Sequence, residues 1–378
     1  MLSCASHDAG TSDMCRHSQS YRFWLTISMN TKGLWIVSKS IRYTSPSRLG
    51  LTGKRMNDRN NPAATRGWDS YWQGTGDRDS YSSDGQGHPA LTTFWADIFE
   101  QALRRRHAPR IVDIASGSGA VIGILTQHTA DLDAEISCVD VSQAAVDSVC
   151  TRYPAVAGIV ADAASIPLES SHYDLVTSQF GIEYAGPDAM DEAARLIAKG
   201  GTLAALIHVR PGMIFDECRT ARDAVRRMQK CEFFSLALRF FEAGFAAVRG
   251  GDRRPYDRAA SKLNPAIAEL TSILADAGQD VAGGRIARLY ADVERMHRRI
   301  QYHEPNEVIG WLRALDHEFD EYRSRMASMC DAAVDKNGYS RILERLRERG
   351  LTIVRGDALL QSDDSRPLAW ALHAMRDA

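Results

Sequence analysis

Apolar and polar positions follow two patterns from His88 onward, a helical period and short continuous apolar runs. The first helical stretch has apolar residues at spacings of three and four, namely Leu91, Phe94, Trp95, Ile98, Phe99 and Leu103. Five apolar runs follow, separated by stretches able to form helices: IVDI, EISCVD, AGIVAD, YDLVTS and GTLAALIHV. Near-continuous apolar strands with helical crossovers are typical of a parallel sheet that is buried on both faces. The pattern therefore predicts a doubly wound α/β domain.

The alternation stops between residues 211 and 337, where the pattern is helical throughout. Two apolar stripes have spacings of three and four: Ile286, Leu289, Val293, Met296 and Ile300, then Val308, Trp311, Leu315, Phe319, Tyr322 and Met326. A short break at EPNE joins the two stripes, so we expect an antiparallel helical hairpin. We interpret residues 211–337 as an all-helical insertion that leaves the sheet at the carboxyl end of the fifth strand. Residues 108–210 and 338–378 then form the sheet domain.

The first 55 residues differ in composition from the rest of the chain. They contain eight Lys and Arg against two Asp, with many Ser and Thr. A basic, acid-poor start is typical of an organelle transit peptide, but we favour a start codon assigned too early, with Met56 opening the ordered chain. We expect residues 1–55 to be disordered or poorly packed, and residues 56–107 to form an N-terminal arm and the first helix.

Composition and charge narrow the range of partners. The 378 residues are 44% hydrophobic and 25% charged, with a formal net charge of −2. Residues 211–337 contain 20 basic and 20 acidic residues, so no nucleic-acid partner is indicated. The seven cysteines are scattered without a C-x-x-C pair, which favours a reducing cytoplasm over a disulfide framework or a zinc site. No apolar run is long enough to span a bilayer.

The first predicted strand leads into RIVDIASGSGAVIG, residues 110–123, where an apolar run carrying Asp113 meets small residues and then an apolar helix. Gly117 and Gly119 allow a tight turn and the close approach of a ligand. The helix that follows offers unpaired backbone N–H groups to a carboxylate or phosphate. Ligands of doubly wound sheets bind at the carboxyl ends of the strands, where the strand order reverses. We therefore expect the ligand site at this turn.

Two further acids follow the second and third predicted strands, Asp140 and Asp162. Asp140 is 27 positions after Asp113, where a carboxylate can accept hydrogen bonds from both hydroxyls of a ribose. Asp162 is placed to meet the exocyclic amine of an adenine. Each acid alone is better explained by structure, with Asp140 as the N-cap of the next helix. Three acids at three successive strand ends favour a nucleoside site.

With these features the chain resembles the class I S-adenosylmethionine-dependent methyltransferases, over roughly residues 67–209 and the C-terminus. The resemblance is carried by Asp113, the ASGSG loop, YDLVTSQFGIEYA, RLIAKGGTLAALIHV and the tail that begins ILERLRERGLTIVRGDALLQ. Ala115 stands where the family has its first loop glycine, a departure that a small side chain tolerates. The resemblance implies a Rossmann-like, seven-stranded, mostly parallel sheet with an antiparallel C-terminal hairpin. It also implies S-adenosylmethionine as the cofactor.

The resemblance implies a set of site residues as well. Asp140 would bind the ribose, Asp162 and Ala163 the adenine, and the backbone of the ASGSG loop the methionine portion. The exit of the fourth strand would border both cofactor and substrate. The implied cofactor-binding residues are Asp113, Ala115, Ser116, Gly117, Gly119, Asp140, Val141, Asp162, Ala163, Ser178 and Gln179.

Methyl transfer from a sulfonium is an in-line displacement, so the protein mainly aligns the reactants in a dry site. It also supplies a base where the nucleophile carries a proton. The candidate bases follow the fourth and fifth strands: Glu183, Tyr184 and His208. Three aromatic residues ahead of the first helix would shield the sulfonium or anchor the arm by burial, namely Trp68, Tyr71 and Trp72. No metal-ligand spacing is present.

Two other functions fit part of the pattern. An NAD(P)-dependent oxidoreductase would also use GSGAVIG and a later acid, although the acid within the first strand and the terminal hairpin favour the methyltransferase. A cofactor-binding protein without catalysis is compatible with the same residues. For the acceptor we expect a small or medium-sized molecule under a helical cap that excludes water. Homodimerisation through the insertion is a further option.

Overall fold

The computed structural model describes residues 28–29, 35–36, 72, 88–104, 106–360 and 366–378. The chain divides into two units, Met1–Arg55 and Met56–Ala378. In the first unit, β1 (Ser28–Met29) and β2 (Trp35–Ile36) form an antiparallel pair. The rest of residues 1–55, and Trp68 and Tyr71 of the arm, lie outside the described residues. The disorder expected for the first 55 residues therefore stays a prediction.

Seven strands of the second unit form one mixed sheet. They are β3 (Arg110–Ile114), β4 (Glu135–Asp140), β5 (Val156–Val160), β6 (Tyr173–Gln179), β7 (Ile197–Ile207), β8 (Leu351–Leu360) and β9 (Pro367–Arg376). Their order is β5-β4-β3-β6-β7-β9-β8, with parallel pairing from β5 to β7 and antiparallel pairing of β9 with β7 and β8. This confirms the predicted mostly parallel sheet with its antiparallel C-terminal hairpin. The strand order reverses at β3, so the carboxyl ends of β3 and β6 form the switch point.

Between residues 88 and 348, the described chain forms ten α-helices that surround or extend this sheet. They are α1 (Pro89–Leu103), α2 (Ala120–His128), α3 (Gln143–Arg152), α4 (Pro187–Leu196), α5 (Met213–Lys230), α6 (Phe233–Val248), α7 (Arg254–Ala277), α8 (Arg285–Arg298), α9 (Pro305–Ala332) and α10 (Lys336–Glu348). Within the described part of the chain, none of these helices is both long and apolar enough to cross a membrane.

Each face of the sheet is covered by a separate apolar core. On β3, Ile111 packs in the core that includes α1, α2 and α3, whereas Val112 and Ile114 pack in the core that includes α4 and α10. Successive side chains of a strand point to opposite faces, so a continuous apolar run buries both faces at once. The sheet is thus doubly wound, as the alternation predicts.

Helix α1 shows how directly the sequence determines this layer. The ring nitrogen Nδ1 of His88 accepts a hydrogen bond from the backbone N–H of Ala90 at 3.3 Å, and Pro89 occupies the first helical position. The buried residues of α1 are the six that the periodicity predicts: Leu91, Phe94, Trp95, Ile98, Phe99 and Leu103. The predicted first helix and its buried face are confirmed.

The insertion consists of α5 to α9 and a short 3-10 turn at Ile300–Tyr302. Its helical character is confirmed, but the expected hairpin of α8 with α9 is wrong in its pairing. Helix α9 packs mainly against α5 and α6, whereas α8 packs mainly against α7. An apolar stripe shows which face of a helix is buried but not which neighbour covers it.

The two ends of the insertion meet beside the carboxyl end of β7. The backbone N–H of Val334 donates to the carbonyl of His208 at 2.8 Å, and the N–H of Arg210 donates to the carbonyl of Val334 at 2.9 Å. The indole N–H of Trp370, on β9, donates to the same Val334 carbonyl at 2.8 Å. Val209 and Val334 thereby form a parallel bridge. We call this arrangement of Val209, Arg210 and Val334 the clasp.

Candidate active site

The turn after β3, residues 115–119, forms what we call the glycine loop. Three of its residues have left-handed backbones, with φ of 54° at Ala115, 50° at Gly117 and 79° at Gly119. Gly119 is also the N-cap of α2, and it has no side chain to cap the helix. Gly119 therefore supplies no side-chain cap at the N-terminus of α2, which is where the sequence predicts an acidic ligand group.

Asp140 connects the end of β4 to the glycine loop. Its Oδ2 accepts a hydrogen bond from the backbone N–H of Gly117 at 2.9 Å, and its Oδ1 accepts one from the N–H of Ser142 at 2.9 Å. The N-cap of α3 is Ser142, whose hydroxyl accepts from Ala145 N–H, so the capping explanation of Asp140 is wrong.

Asp113 lies below the loop in the core. Its side chain is 1% exposed, and its Oδ1 accepts a hydrogen bond from the Thr177 hydroxyl on β6 at 2.7 Å. Burial raises the pKa of Asp113 to about 7, and the charge of Asp140 adds to the increase. The structure therefore places Asp113 as a partner of the neighbouring strand at the switch point.

The predicted adenine-side residues follow β5 but not directly. The strand ends at Val160, so Asp162 lies in the turn after it, and its Oδ1 accepts from the backbone N–H of Ala164 at 2.9 Å. The backbone N–H of Ala161 donates to the carbonyl of Asp140 at 3.0 Å, which brings the exits of β4 and β5 together. Ala163 is buried and Val141 is exposed. The turn that carries Asp162 and Ala163 thus begins next to Asp140.

The two predicted residues at the end of β6 are both held by protein groups. The hydroxyl of Ser178 is buried and accepts from the backbone N–H of Ile182 at 3.2 Å. Gln179 Oε1 accepts from the indole N–H of Trp95 at 2.6 Å. The apolar periodicity predicts only that Trp95 lies on the buried face of α1, because a period does not indicate where an indole N–H donates.

The three candidate bases lie in one cluster at the carboxyl ends of β6 and β7. Glu183 Oε1 accepts two hydrogen bonds from His208, from its Nδ1 at 2.6 Å and from its backbone N–H at 2.9 Å. Both side chains are almost fully buried, His208 at 2% and Glu183 at 1% exposed. An Nδ1 that donates to a carboxylate leaves Nε2 as the nitrogen able to accept a proton. Glu183 Oε2 is buried and has no hydrogen-bond partner among the described residues.

Two aromatic rings cover His208. The Phe180 ring lies 4.6 Å from the imidazole, centroid to centroid, and the Tyr184 ring lies 5.8 Å away in an edge-on arrangement. Burial, and then the nearby Glu183, raise the pKa of Tyr184 well above its usual value. Tyr184 therefore keeps its phenolic proton at neutral pH and is a poor candidate for the base. No pattern in the sequence indicates a role for Phe180, although it lies within the segment YDLVTSQFGIEYA.

The exit of β6 touches the glycine loop directly. A β-carbon on Gly181 would lie 2.5 Å from Cβ of Ala115 and 2.8 Å from its carbonyl oxygen, so only glycine fits there. On the other side of the loop, a β-carbon on Gly117 would lie 2.8 Å from the ring of Trp72. The glycine loop therefore packs between the aromatic arm residue Trp72 and the segment that carries Phe180 and Glu183.

These contacts fit the cofactor that the sequence implies. The loop and the uncapped N-terminus of α2 would hold an amino-acid portion, and Asp140 would accept hydrogen bonds from ribose hydroxyls. Among the residues that the structure describes, no group of three or more His, Cys, Asp or Glu is arranged to hold a metal ion.

Comparisons with known proteins point to one class. Residues 112–205 match the family described as a methyltransferase domain. A malonyl-[acyl-carrier protein] O-methyltransferase of Enterobacter lignolyticus is 28% identical over 121 residues, which are 32% of this chain and 47% of the relative. A demethylmenaquinone methyltransferase of Beutenbergia cavernae is 30% identical over 115 residues, 30% of this chain and 46% of the relative.

Among solved structures, the CurJ carbon methyltransferase has a TM-score of 0.37 and 10% identity, and the match covers 76% of this chain and 54% of that one. The chain spans about half the length of the curated relatives that it matches.

Proposed function

We propose, from the premise that this chain carries a class I S-adenosylmethionine-dependent methyltransferase domain, that it transfers a methyl group to an acceptor that loses a proton in the reaction. The observation that carries the proposal is the buried pair of His208 and Glu183, which lies at the switch-point edge of the sheet. A buried imidazole with a carboxylate on Nδ1 is an arrangement suited to general-base catalysis.

The family match and the relatives confirm the predicted class and its cofactor, S-adenosylmethionine, and favour them over the nicotinamide-dependent alternative. For the cofactor we propose the residues that the sequence implies. Asp140 supports this assignment most directly, because its carboxylate is already fixed against the loop by Gly117 N–H. Ser178 and Gln179 would act by shaping the β6 exit, since their side chains are bonded to Ile182 and Trp95.

The bound cofactor supplies a methyl group on a positively charged sulfur, which is the electrophile of the reaction. The residues of this chain would orient the acceptor and remove its proton. Glu183 holds the Nδ1–H of His208, so that Nε2 takes the proton as the new bond forms. The charge that develops on the imidazole is then balanced by the adjacent carboxylate. The attraction between these two charges is stronger in a dry site than in water.

The need for a base limits the chemical class of the acceptor. An acceptor atom that carries a proton, such as an acidic carbon or a hydroxyl oxygen, gains from a base, whereas a neutral amine or a thioether attacks with a free lone pair. The relatives are named for different acceptors, demethylmenaquinone and malonyl-[acyl-carrier protein], so they do not select one. We therefore propose a small or medium-sized carbon or oxygen acid.

We further propose that the insertion caps the acceptor. Helix α5 begins five residues after His208. Cys218 of α5 and Cys330 of α9 lie close enough to Tyr184 to affect its pKa. Both residues are buried, which supports packing of the insertion against the β6 exit. Such a cap would exclude water from the transfer step. Homodimerisation through the insertion remains a prediction.

The test has a binding arm and a turnover arm. Calorimetry of the full chain should show binding of S-adenosylhomocysteine and no binding of NADH, and Asp140→Ala should weaken the binding of S-adenosylhomocysteine by about tenfold. Methyl transfer would then be assayed with a soluble naphthoquinol and a malonyl thioester, using wild type and His208→Gln. His208→Gln should keep S-adenosylhomocysteine affinity and lose about 100-fold or more in turnover. Full turnover in His208→Gln would refute the base assignment.

A further inference from the structure

We propose that Phe180 is a positioning residue for His208, kept in place by a strained backbone that the glycine loop and β7 enforce. The inference rests on the proposed function, because it assigns Phe180 a task in presenting the base. Phe180 has no polar side-chain atom, so its effect on the reaction can only be indirect.

The first observation is the backbone of Phe180. Its φ is 53°, in the left-handed region that bulky residues rarely adopt. Four other non-glycine residues of the described chain share this conformation: Ala115, Ser171, Glu232 and Ala282. Phe180 is the aromatic member of this set. Strained residues that persist are held by their surroundings, and they cluster at functional sites.

The second observation is what holds this conformation. The backbone N–H of Phe180 donates to the carbonyl of Leu206 on β7 at 2.8 Å. The next residue, Gly181, is pressed against Ala115, since a β-carbon there would approach to 2.5 Å. Phe180 is thus fixed between β7 on one side and the glycine loop on the other. A relaxed backbone would direct its ring elsewhere.

The third observation is where the ring lies. Its centroid is 4.6 Å from that of the His208 imidazole, at a tilt of 44°. Together with Tyr184 it leaves His208 only 2% exposed. Glu183 fixes one edge of the imidazole through Nδ1, and the Phe180 ring restricts its plane. The two contacts together set the direction of Nε2 and keep water from it.

The test compares Phe180→Gly with Phe180→Ala, which both remove the ring, whereas only glycine relaxes the left-handed backbone. We expect the glycine variant to melt at a higher temperature than the alanine variant. In both variants, carbethoxylation of His208 by diethyl pyrocarbonate, followed by peptide mass spectrometry, should be faster than in wild type by about tenfold or more. Turnover should fall by about 10- to 100-fold, with S-adenosylhomocysteine affinity unchanged.

Ala282→Gly is the matched control, because Ala282 has a φ of 54° and lies in the insertion. It should raise the melting temperature and leave both His208 modification and turnover as in wild type. An unchanged modification rate or unchanged turnover in the two Phe180 variants would overturn the proposal. Equal melting temperatures of the two variants would overturn the strain that it requires. If wild type fails to bind S-adenosylhomocysteine, the proposed function fails, whereas the modification rates and melting temperatures still test Phe180.

Discussion

The sheet domain and the helical insertion bury different kinds of side chain. The buried polar or charged residues of the described chain all lie outside the insertion, and they are Asp113, Ser116, Ser118, Thr129, Asp140, Ser142, Thr177, Ser178, Thr202, His208 and His373. The insertion buries apolar, aromatic and sulfur-containing side chains, with Phe233, Phe241 and Leu312 among them. Its charged residues pair mostly at the surface, as Arg227 does with Glu269 and Asp276.

This difference distinguishes a region with buried polar groups suited to chemistry from a region whose buried side chains serve packing. A buried polar group lowers stability unless it is hydrogen-bonded, so a protein retains such groups where they serve a purpose. Most of those in the sheet domain lie at the carboxyl ends of β3, β4, β6 and β7, where ligands of this fold bind. Substitutions there should change the chemistry, and substitutions in the insertion core should change stability.

Among the variants that compare the two regions, Glu183→Gln is expected to have the largest effect. The amide is nearly the same size but carries no charge, so the imidazole loses the partner that balances its charge during proton removal. Turnover should fall by about 100-fold, while calorimetry shows S-adenosylhomocysteine affinity close to wild type. Glu217→Gln, at an exposed glutamate of α5, is the control and should keep full turnover. Equal turnover of the two variants would contradict the division between the regions.

Leu312→Ala tests the other region, the core of the insertion. Leu312 is fully buried in α9, so the truncation leaves a cavity and should lower the free energy of unfolding by about 2–5 kcal/mol in urea titrations. At a temperature where the variant is folded, its affinity for S-adenosylhomocysteine should equal that of wild type. A large loss of affinity would mean that the insertion core also supports the cofactor site.

Asp113→Asn tests a buried acid of the sheet domain through pH. The pKa of Asp113 is raised from 3.8 to about 7, so the native protein keeps a proton that the unfolded chain releases between pH 4 and 7. The free energy of unfolding of wild type, as far as it depends on Asp113, is therefore highest below about pH 4 and decreases as the pH rises to 7. Asparagine has no such titration and still accepts from Thr177. The free energy of unfolding of the variant should rise relative to that of wild type across this window, on the order of 4 kcal/mol in urea titrations at several pH values. A constant difference would contradict the raised pKa.

The smallest effect is expected from Arg227→Met. The guanidinium is more than one-third exposed and lies 2.8 Å from carboxylate oxygens of Glu269 and Asp276. Pairs of this kind contribute only about 0–1 kcal/mol to stability, and salt screens them. Thermal unfolding at low and high salt should therefore differ little between variant and wild type, and turnover should not change.

Sequence patterns predicted the fold because it depends on local signals, and the same signals led to the proposed position of the site. Three local patterns predict both without any knowledge of tertiary contacts. They are the apolar stripe of α1, the apolar strands and the small residues of the loop from Ala115 to Gly119. The sequence does not predict the left-handed backbone of Phe180, because glycine or asparagine would be expected in that conformation. The contact of Gly181 with Ala115 joins positions far apart in the chain, and the partner of α9 depends on packing alone.

The clasp at Val209 and Val334 has an evolutionary consequence. Because the chain leaves and re-enters the sheet domain at one hydrogen-bonded bridge, the segment between these residues can change in length or be exchanged without altering the strand order. Acceptor choice would then diverge by replacement of this segment, while the handling of the methyl donor is inherited unchanged. His208 is linked to the bridge through its own carbonyl, so each replacement would be placed against the same imidazole.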